Sequence, residues 1–191
     1  RGVKVALGGY HVTMIPEEAA EHADTILLGD SEGQFAQLIQ DLTVGRLQKV
    51  YHGHFPPNLH GLKTRWEIFA GKSYLPLRLT QFSRGCPNSC KFCATGNIYR
   101  KTHCFRPPEE VVEELKQQDS PFVFFVDDNI VAQPEPAKEL FRLLIPLKKR
   151  WIGQASLSFT EDRELMELMK RSGCAGLVVG FESTSPENLK Q

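Results

Sequence analysis

The sequence predicts an α/β chain in two parts, each built on parallel strands with helices between them. Three observations carry this. Short apolar, β-rich runs alternate with amphipathic stretches along most of the chain. Glycine and proline mark the boundaries between them. One segment, residues 52–75, breaks the alternation, with Pro56-Pro57, Gly61, Gly71 and three of the six histidines but no sustained period. It reads as an interdomain linker between residues 1–51 and 76–191. Hydrophobic content of 41% and charged content of 24% are those of a globular protein. Lysine plus arginine (23) equal aspartate plus glutamate (23), so charge gives no reason to expect a nucleic acid partner. No apolar run approaches the roughly 18 residues of a membrane span, so a membrane is not expected either.

In the first part, Val3–Leu7 is a strand that runs into Gly8-Gly9, a tight turn where backbone can approach a ligand. A short helix over Pro16–His22 and an apolar strand over Thr25–Leu28 follow. Ser31 and Gln34 have the spacing of a capping box, and Phe35, Leu38, Ile39 and Leu42 form the expected buried stripe of the next helix. In the second part, strand Pro76–Gln81 leads into a cysteine-rich loop, and a helix starts near Pro107-Pro108. Strand Phe122–Val126 ends at Asp127-Asp128-Asn129, and a helix runs from about Pro136 to Leu144. Strand Ile152–Ser156 precedes a helix capped by Thr160, with Leu165, Met166, Leu168 and Met169 on one face and Gly173 closing it. Strand Leu177–Val179 ends at Gly180-Phe181-Glu182-Ser183. In consecutive parallel βα units the chemistry sits where strands run out. Here those ends carry the cysteines, Asp127-Asp128-Asn129, Ser156-Leu157-Ser158 and Glu182-Ser183. The polar residues fall on one rim.

The cysteine loop carries the strongest signal: Cys86, Cys90 and Cys93 lie in Arg84-Gly85-Cys86-Pro87-Asn88-Ser89-Cys90-Lys91-Phe92-Cys93. With five cysteines in 191 residues, chance placement of this triple has odds of roughly a few in a thousand. Four-iron clusters are held by cysteine thiolates, normally four. Three thiolates with no evident fourth fit a cluster whose last iron is open, and an open iron is a site for chemistry. The competing reading is zinc completed by His52, His54 or His103, at odds of roughly one to nine because only one Cys-x2-Cys pair exists. Cys104 is the sequence-near candidate for a fourth cluster ligand; otherwise Cys104 and Cys174 read as small, partly buried residues. Reduced thiols and an iron site point to a reducing cytoplasm.

With Phe92 before the last thiol and Arg84-Gly85 before the first, this motif resembles the cluster motif of radical S-adenosylmethionine (SAM) enzymes. The likeness extends through Phe105-Arg106-Pro107-Pro108-Glu109-Glu110-Val111-Val112, Phe124-Phe125-Val126-Asp127-Asp128-Asn129 and Gly180-Phe181-Glu182-Ser183. Leu7-Gly8-Gly9-Tyr10-His11-Val12-Thr13, with Ile26-Leu27-Leu28-Gly29-Asp30-Ser31-Glu32, resembles the second half of a cobalamin-binding domain. Together they resemble the cobalamin-dependent branch of the superfamily. The resemblance implies a partial Rossmann-like cobalamin domain over 1–51 and, over 76–191, the first four βα units of a TIM-barrel-like radical SAM domain.

The resemblance further implies that Cys86, Cys90 and Cys93 ligate three irons of a 4Fe-4S cluster and that SAM chelates the fourth. Reductive cleavage then gives methionine and a 5′-deoxyadenosyl radical. Asp127-Asp128-Asn129 lies where the family meets the methionine amino group. Ser156, on the next strand end, joins the same cofactor rim, where Glu182 and Ser183 would accept from ribose hydroxyls or the amino group. Phe92 belongs to the cluster loop, and Gly8 and Gly9 admit the nucleotide tail of cobalamin. The implied enzyme functionalises an unreactive carbon of a small-molecule substrate, with methyl transfer from cobalamin as the expected outcome. Flavodoxin or ferredoxin would supply the electron. The residues lack the earlier units of a complete cobalamin domain and the last units of the barrel, so this stretch is expected to lack turnover by itself. Two alternatives stay open: a radical SAM enzyme without cobalamin, such as a methylthiotransferase or cyclase, and a non-catalytic iron–sulfur or zinc module.

Overall fold

A computed structural model describes residues 2–188, and the chain divides into two compact units, residues 1–58 and 59–191. The first holds β1 (Ala6–Leu7), α1 (Tyr10–Met14), α2 (Pro16–Glu21), β2 (Thr25–Leu28), α3 (Gln34–Thr43) and β3 (Val50–His52). The three strands form one parallel sheet in the order β1-β2-β3. Ile26 packs with Val12 and Ala19 on one face, and Leu27 packs with Leu38 and Tyr51 on the other. Burial on both faces is why Ile26-Leu27-Leu28 reads as an unbroken apolar run.

Two expectations for α3 are corrected. Gly33 stands at its N-cap in the left-handed region (φ 82°), with no side-chain cap. The Ser31 carbonyl, not its hydroxyl, accepts from the Gln34 and Phe35 amides. Of the expected stripe only Leu38 is buried, while Phe35, Ile39 and Leu42 are 55%, 43% and 38% exposed. The helix turns a polar residue inward instead. Buried Asp41 accepts from the Tyr51 hydroxyl at 2.8 Å and from Gln37 and Gln48, and these three donors hold its carboxyl below the usual range.

The second unit contains β4 (Leu77–Thr80), β5 (Ser83–Gly85), α4 (Ala94–Ile98), β6 (His103–Phe105), α5 (Pro108–Lys116), β7 (Phe122–Phe125), α6 (Pro134–Leu144), β8 (Arg150–Gln154), α7 (Arg163–Arg171) and β9 (Cys174–Val178). Strands β4, β7, β8 and β9 form a four-stranded parallel sheet in chain order, with α5, α6 and α7 as the connections. These are the four expected parallel strands, joined by three of the expected helices. Their core is aromatic: the Trp151 ring stacks on Phe141 at 4.9 Å and meets Phe125 edge-on at 5.7 Å, and its Nε1 donates to Ser172 Oγ at 3.1 Å. Helix α7 is capped by Asp162, whose carboxylate accepts from the Leu165 amide at 2.9 Å; the Thr160 hydroxyl donates to the Leu157 carbonyl instead. Leu165, Leu168 and Met169 are buried, and Met166 sits at the edge of that face.

An addition to the expected layout surrounds the cysteines. Strands β5 and β6 pair antiparallel, Ser83 opposite Phe105 and Gly85 opposite His103, so the chain between them is a loop closed at its base. Gly85 has φ 85°, and a Cβ there would collide with the Thr102 carbonyl oxygen. Just past β6, the buried Arg106 donates to the Gln81 and Leu62 carbonyls, both at 2.9 Å, and pairs with buried Glu114 at 2.8 Å.

Candidate functional site

The C-terminal ends of β4, β7, β8 and β9 lie along one rim of their sheet, because all four strands run parallel. The cysteine loop follows β4, Asp127-Asp128-Asn129 follows β7, Ser156 follows β8, and Glu182-Ser183 follows β9. Hydrogen bonds join the first three sets. Asp127 is fully buried; its Oδ2 accepts from the Phe82 amide at 3.1 Å, and its Oδ1 accepts from the Ser83 amide and, at 2.5 Å, the Ser83 hydroxyl. Burial pushes its pKa up to about 6, against the pull of these donors. Half-buried Asp128 accepts from the Gly85 amide at 3.1 Å and from the Thr95 hydroxyl at 3.2 Å. Asn129 donates to Ser156 Oγ at 3.0 Å and accepts from the Ser156 amide at 3.2 Å, which ties the β7 end to the β8 end. Ser156 in turn shares a hydrogen bond with Ser158.

Within the loop, the Cys93 amide donates to the Cys90 carbonyl at 3.1 Å, and α4 begins at once after Cys93. Cys86, Cys90 and Cys93 are free thiols; Cys86 and Cys93 are half-buried and Cys90 is exposed. Burial raises the pKa of Cys86, while the Asn88 backbone and the Asn129 side chain hydrogen-bond to its sulfur. Phe92 is 70% exposed at the loop surface. Among the described residues, no group of three or more His, Cys, Asp or Glu is gathered around a single point. In a four-iron cluster each thiolate takes a different iron. The donor set of three free thiols, with amide donors close to one sulfur, fits the cluster.

The β9 end is separate from this network. Glu182 is exposed and has φ 56°, an uncommon backbone for a non-glycine residue, and its carboxylate folds back over Gly180. Ser183 Oγ accepts from the Ser185 amide at 3.0 Å and shapes the following turn. His103, weighed in the sequence as a histidine that could complete a zinc site with the cysteines, lies opposite Gly85 with its ring against Phe105 at 4.3 Å. Both its ring nitrogens are buried without a hydrogen-bond partner, and burial pushes its pKa down to about 4.

In the first unit, Gly8 and Gly9 follow β1, and Gly9 has φ 98° at the start of α1. A Cβ on Gly8 would make an ordinary contact with Leu27, and one on Gly9 would meet nothing. Gly9 is thus required by its backbone angle, and the space beside it is open. Two further residues shape these strand ends. The Thr13 hydroxyl donates to the Gly9 carbonyl at 2.8 Å and accepts from the Gly29 amide at 2.9 Å. After β3, a Cβ on Gly53 would overlap the Asp30 backbone.

Residues 80–191 match the family model of the Radical SAM superfamily. The chain belongs to that superfamily. Its similarity to curated relatives extends over the first unit as well. It is 31% identical over its whole length to bacteriochlorophyllide d C-12(1)-methyltransferase of Chlorobaculum tepidum, covering 44% of that protein. It is 29% identical over 97% of its length to hopanoid C-2 methylase of Rhodopseudomonas palustris, covering 38%. The chain therefore spans less than half the length of these relatives. In fold it matches the radical SAM methyltransferase TsrM of Kitasatospora setae, solved with cobalamin and a [4Fe-4S] cluster bound. The TM-score is 0.73 at 19% identity, covering 97% of this chain and 43% of that one.

Proposed function

We propose that this chain is part of a cobalamin-dependent radical SAM methyltransferase acting on an unreactive carbon of a small molecule. The observation that carries the reading is the cysteine triple on a loop closed at its base by β5–β6, at the C-terminal rim of a parallel sheet in a chain of this superfamily. Cys86, Cys90 and Cys93 would hold the cluster, and three thiolates leave one iron for SAM. Bound there, the cluster supplies a low-potential electron for cleavage of a carbon–sulfur bond in SAM.

The chain's own residues prepare that site. The Asn88 and Asn129 donors near Cys86 tune a sulfur ligand through hydrogen bonds. Asn129 and Ser156 present a joined pair of amide and hydroxyl groups to the same rim. Glu182, exposed and held at an unusual backbone angle, offers a carboxylate to ribose hydroxyls or an ammonium, with Ser183 fixing the turn after it. Phe92 stands exposed on the loop.

For cobalamin, the supporting observation is the open space at Gly9 beside the ends of β1 and β2, where backbone could meet a nucleotide tail. The methyl-transfer outcome is supported by the printed activities of the relatives. The first unit would then be the distal part of a cobalamin-binding domain and the second the first part of the radical SAM domain. A small electron carrier of the flavodoxin or ferredoxin type would serve as reductant, in a reducing cytoplasm. Among the described residues, no helix is long and apolar enough to cross a membrane.

The test is iron, sulfide and corrin analysis of the full-length protein purified without oxygen. The expected result is about four irons and four sulfides per chain, plus a cobalt-corrin absorption. Cys86→Ala, Cys90→Ala or Cys93→Ala removes the iron and leaves the corrin. Zinc without sulfide would overturn the cluster, and iron–sulfur without corrin would overturn the cobalamin.

A further inference from the structure

Asp127 and Asp128 stand at the end of β7, but their side chains are engaged with the cysteine loop. Asp127 accepts from Phe82 and twice from Ser83, and Asp128 accepts from Gly85 and Thr95. These donors bracket the cluster motif: Phe82, Ser83 and Gly85 precede Cys86, and Thr95 follows Cys93. A carboxylate has about four acceptor positions, so three donors leave Asp127 little capacity for an outside ligand. Its complete burial closes the route as well. The same strand end thus clamps both limbs of the loop, some 30 to 45 residues away in sequence.

We propose that Asp127 and Asp128 are positioning residues, which fix the two ends of the cysteine loop so that its thiols stay placed for the cluster, and that Asp127, saturated and fully buried, does not take the ammonium group of SAM. The proposal rests on the cluster reading above for its purpose, but its geometry is a property of the chain alone. Charge-assisted bonds to backbone amides are stronger than neutral ones, and supporting bonds of this kind govern how tightly a metal site is held. Asp127→Asn keeps the shape but removes the charge and sets an NH2 group against either the Phe82 donor or the two Ser83 donors. Asp128→Asn does the same at the other limb. Ser83→Ala removes a single bond from Asp127 without touching a carboxylate.

Three readouts separate a positioning role from ligand binding. In the full-length protein before cluster reconstitution, hydrogen exchange over residues 82–95 should speed up about tenfold in Asp127→Asn, and by less in Ser83→Ala, while the rest of the chain is unchanged. After reconstitution, iron release to a chelator should be about tenfold faster or more in both aspartate variants. In Asp127→Asn molecules that retain the cluster, SAM should bind as in the wild type. Unchanged exchange and iron release, with SAM binding weakened about tenfold, would assign the aspartates to the ligand and overturn the proposal. If the wild type assembles no iron–sulfur cluster, the functional reading fails, and the exchange experiment still decides the positioning role. Should Asp127→Asn not fold, Ser83→Ala and Asp128→Asn carry the same comparison.

Discussion

His103 shows how much a single side chain near the loop depends on its surroundings. Its two buried nitrogens have no partner, so the charged form is disfavoured and its pKa falls from 6.5 to about 4. The unfolded chain therefore binds a proton at this residue that the folded chain refuses between those values. Stability contributed by His103 is present above pH 6.5 and lost as pH falls toward 4. His103→Phe keeps the ring contact with Phe105 and should reduce the loss of melting temperature between pH 7 and pH 5. An unchanged loss would mean that other groups set it. Asp127 works in the opposite sense. Its raised pKa makes the ionised form the costly one, and its contribution is greatest below about pH 4 and falls as pH rises through 6. At this scale the cysteine spacing stands plainly in the sequence, because it is a local pattern. The engagement of Asp127 was not readable, because its partners lie 44 and 45 residues away and backbone amides leave no mark in a sequence.

At the scale of elements, periodicity served where an element buries a face and failed where a short piece is held by long-range bonds. Helices α5, α6 and α7 and the strands between them follow the apolar patterns closely. Strands β5 and β6 have three residues each and no usable alternation, and they exist because Gly85 reaches a left-handed backbone angle and Asp127 grips Ser83. Gly85→Ala should therefore cost more than a surface substitution and loosen the loop. Weakened iron retention in an otherwise folded protein would report it. In α3 the apolar residues Phe35, Ile39 and Leu42 matched a helical stripe, yet the polar cluster at Asp41 settled which side faces Tyr51. The cap of α7 was misplaced by two residues, since Thr160 and Asp162 are both suitable types and geometry selects Asp162. Asp162→Ala should cost about 1 kcal/mol in urea unfolding for the lost cap. Buried Lys138, paired with Asp162 at 2.8 Å and also with Glu135 and Glu164, adds to that cost. Thr160→Ala should be close to neutral.

At the largest scale, strands β4, β7, β8 and β9 of the second unit, in chain order, place their four C-terminal ends on the same rim, and that order follows from repeated βα units. The core that keeps those ends in register is centred on Trp151, packed between Phe141 and Phe125. Trp151→Ala should destabilise the second unit by about 3 to 5 kcal/mol, as denaturant unfolding would show; a loss under about 1 kcal/mol would mean the core is not centred there. The proposed function depends at this scale on an open iron at the rim. The most direct measurement is the electron paramagnetic resonance spectrum of the reduced full-length protein, reconstituted without oxygen, with and without SAM. The account predicts a four-iron signal that shifts when SAM is added and that disappears in Cys90→Ala. A signal that SAM leaves unchanged, or one that survives Cys90→Ala, would contradict it.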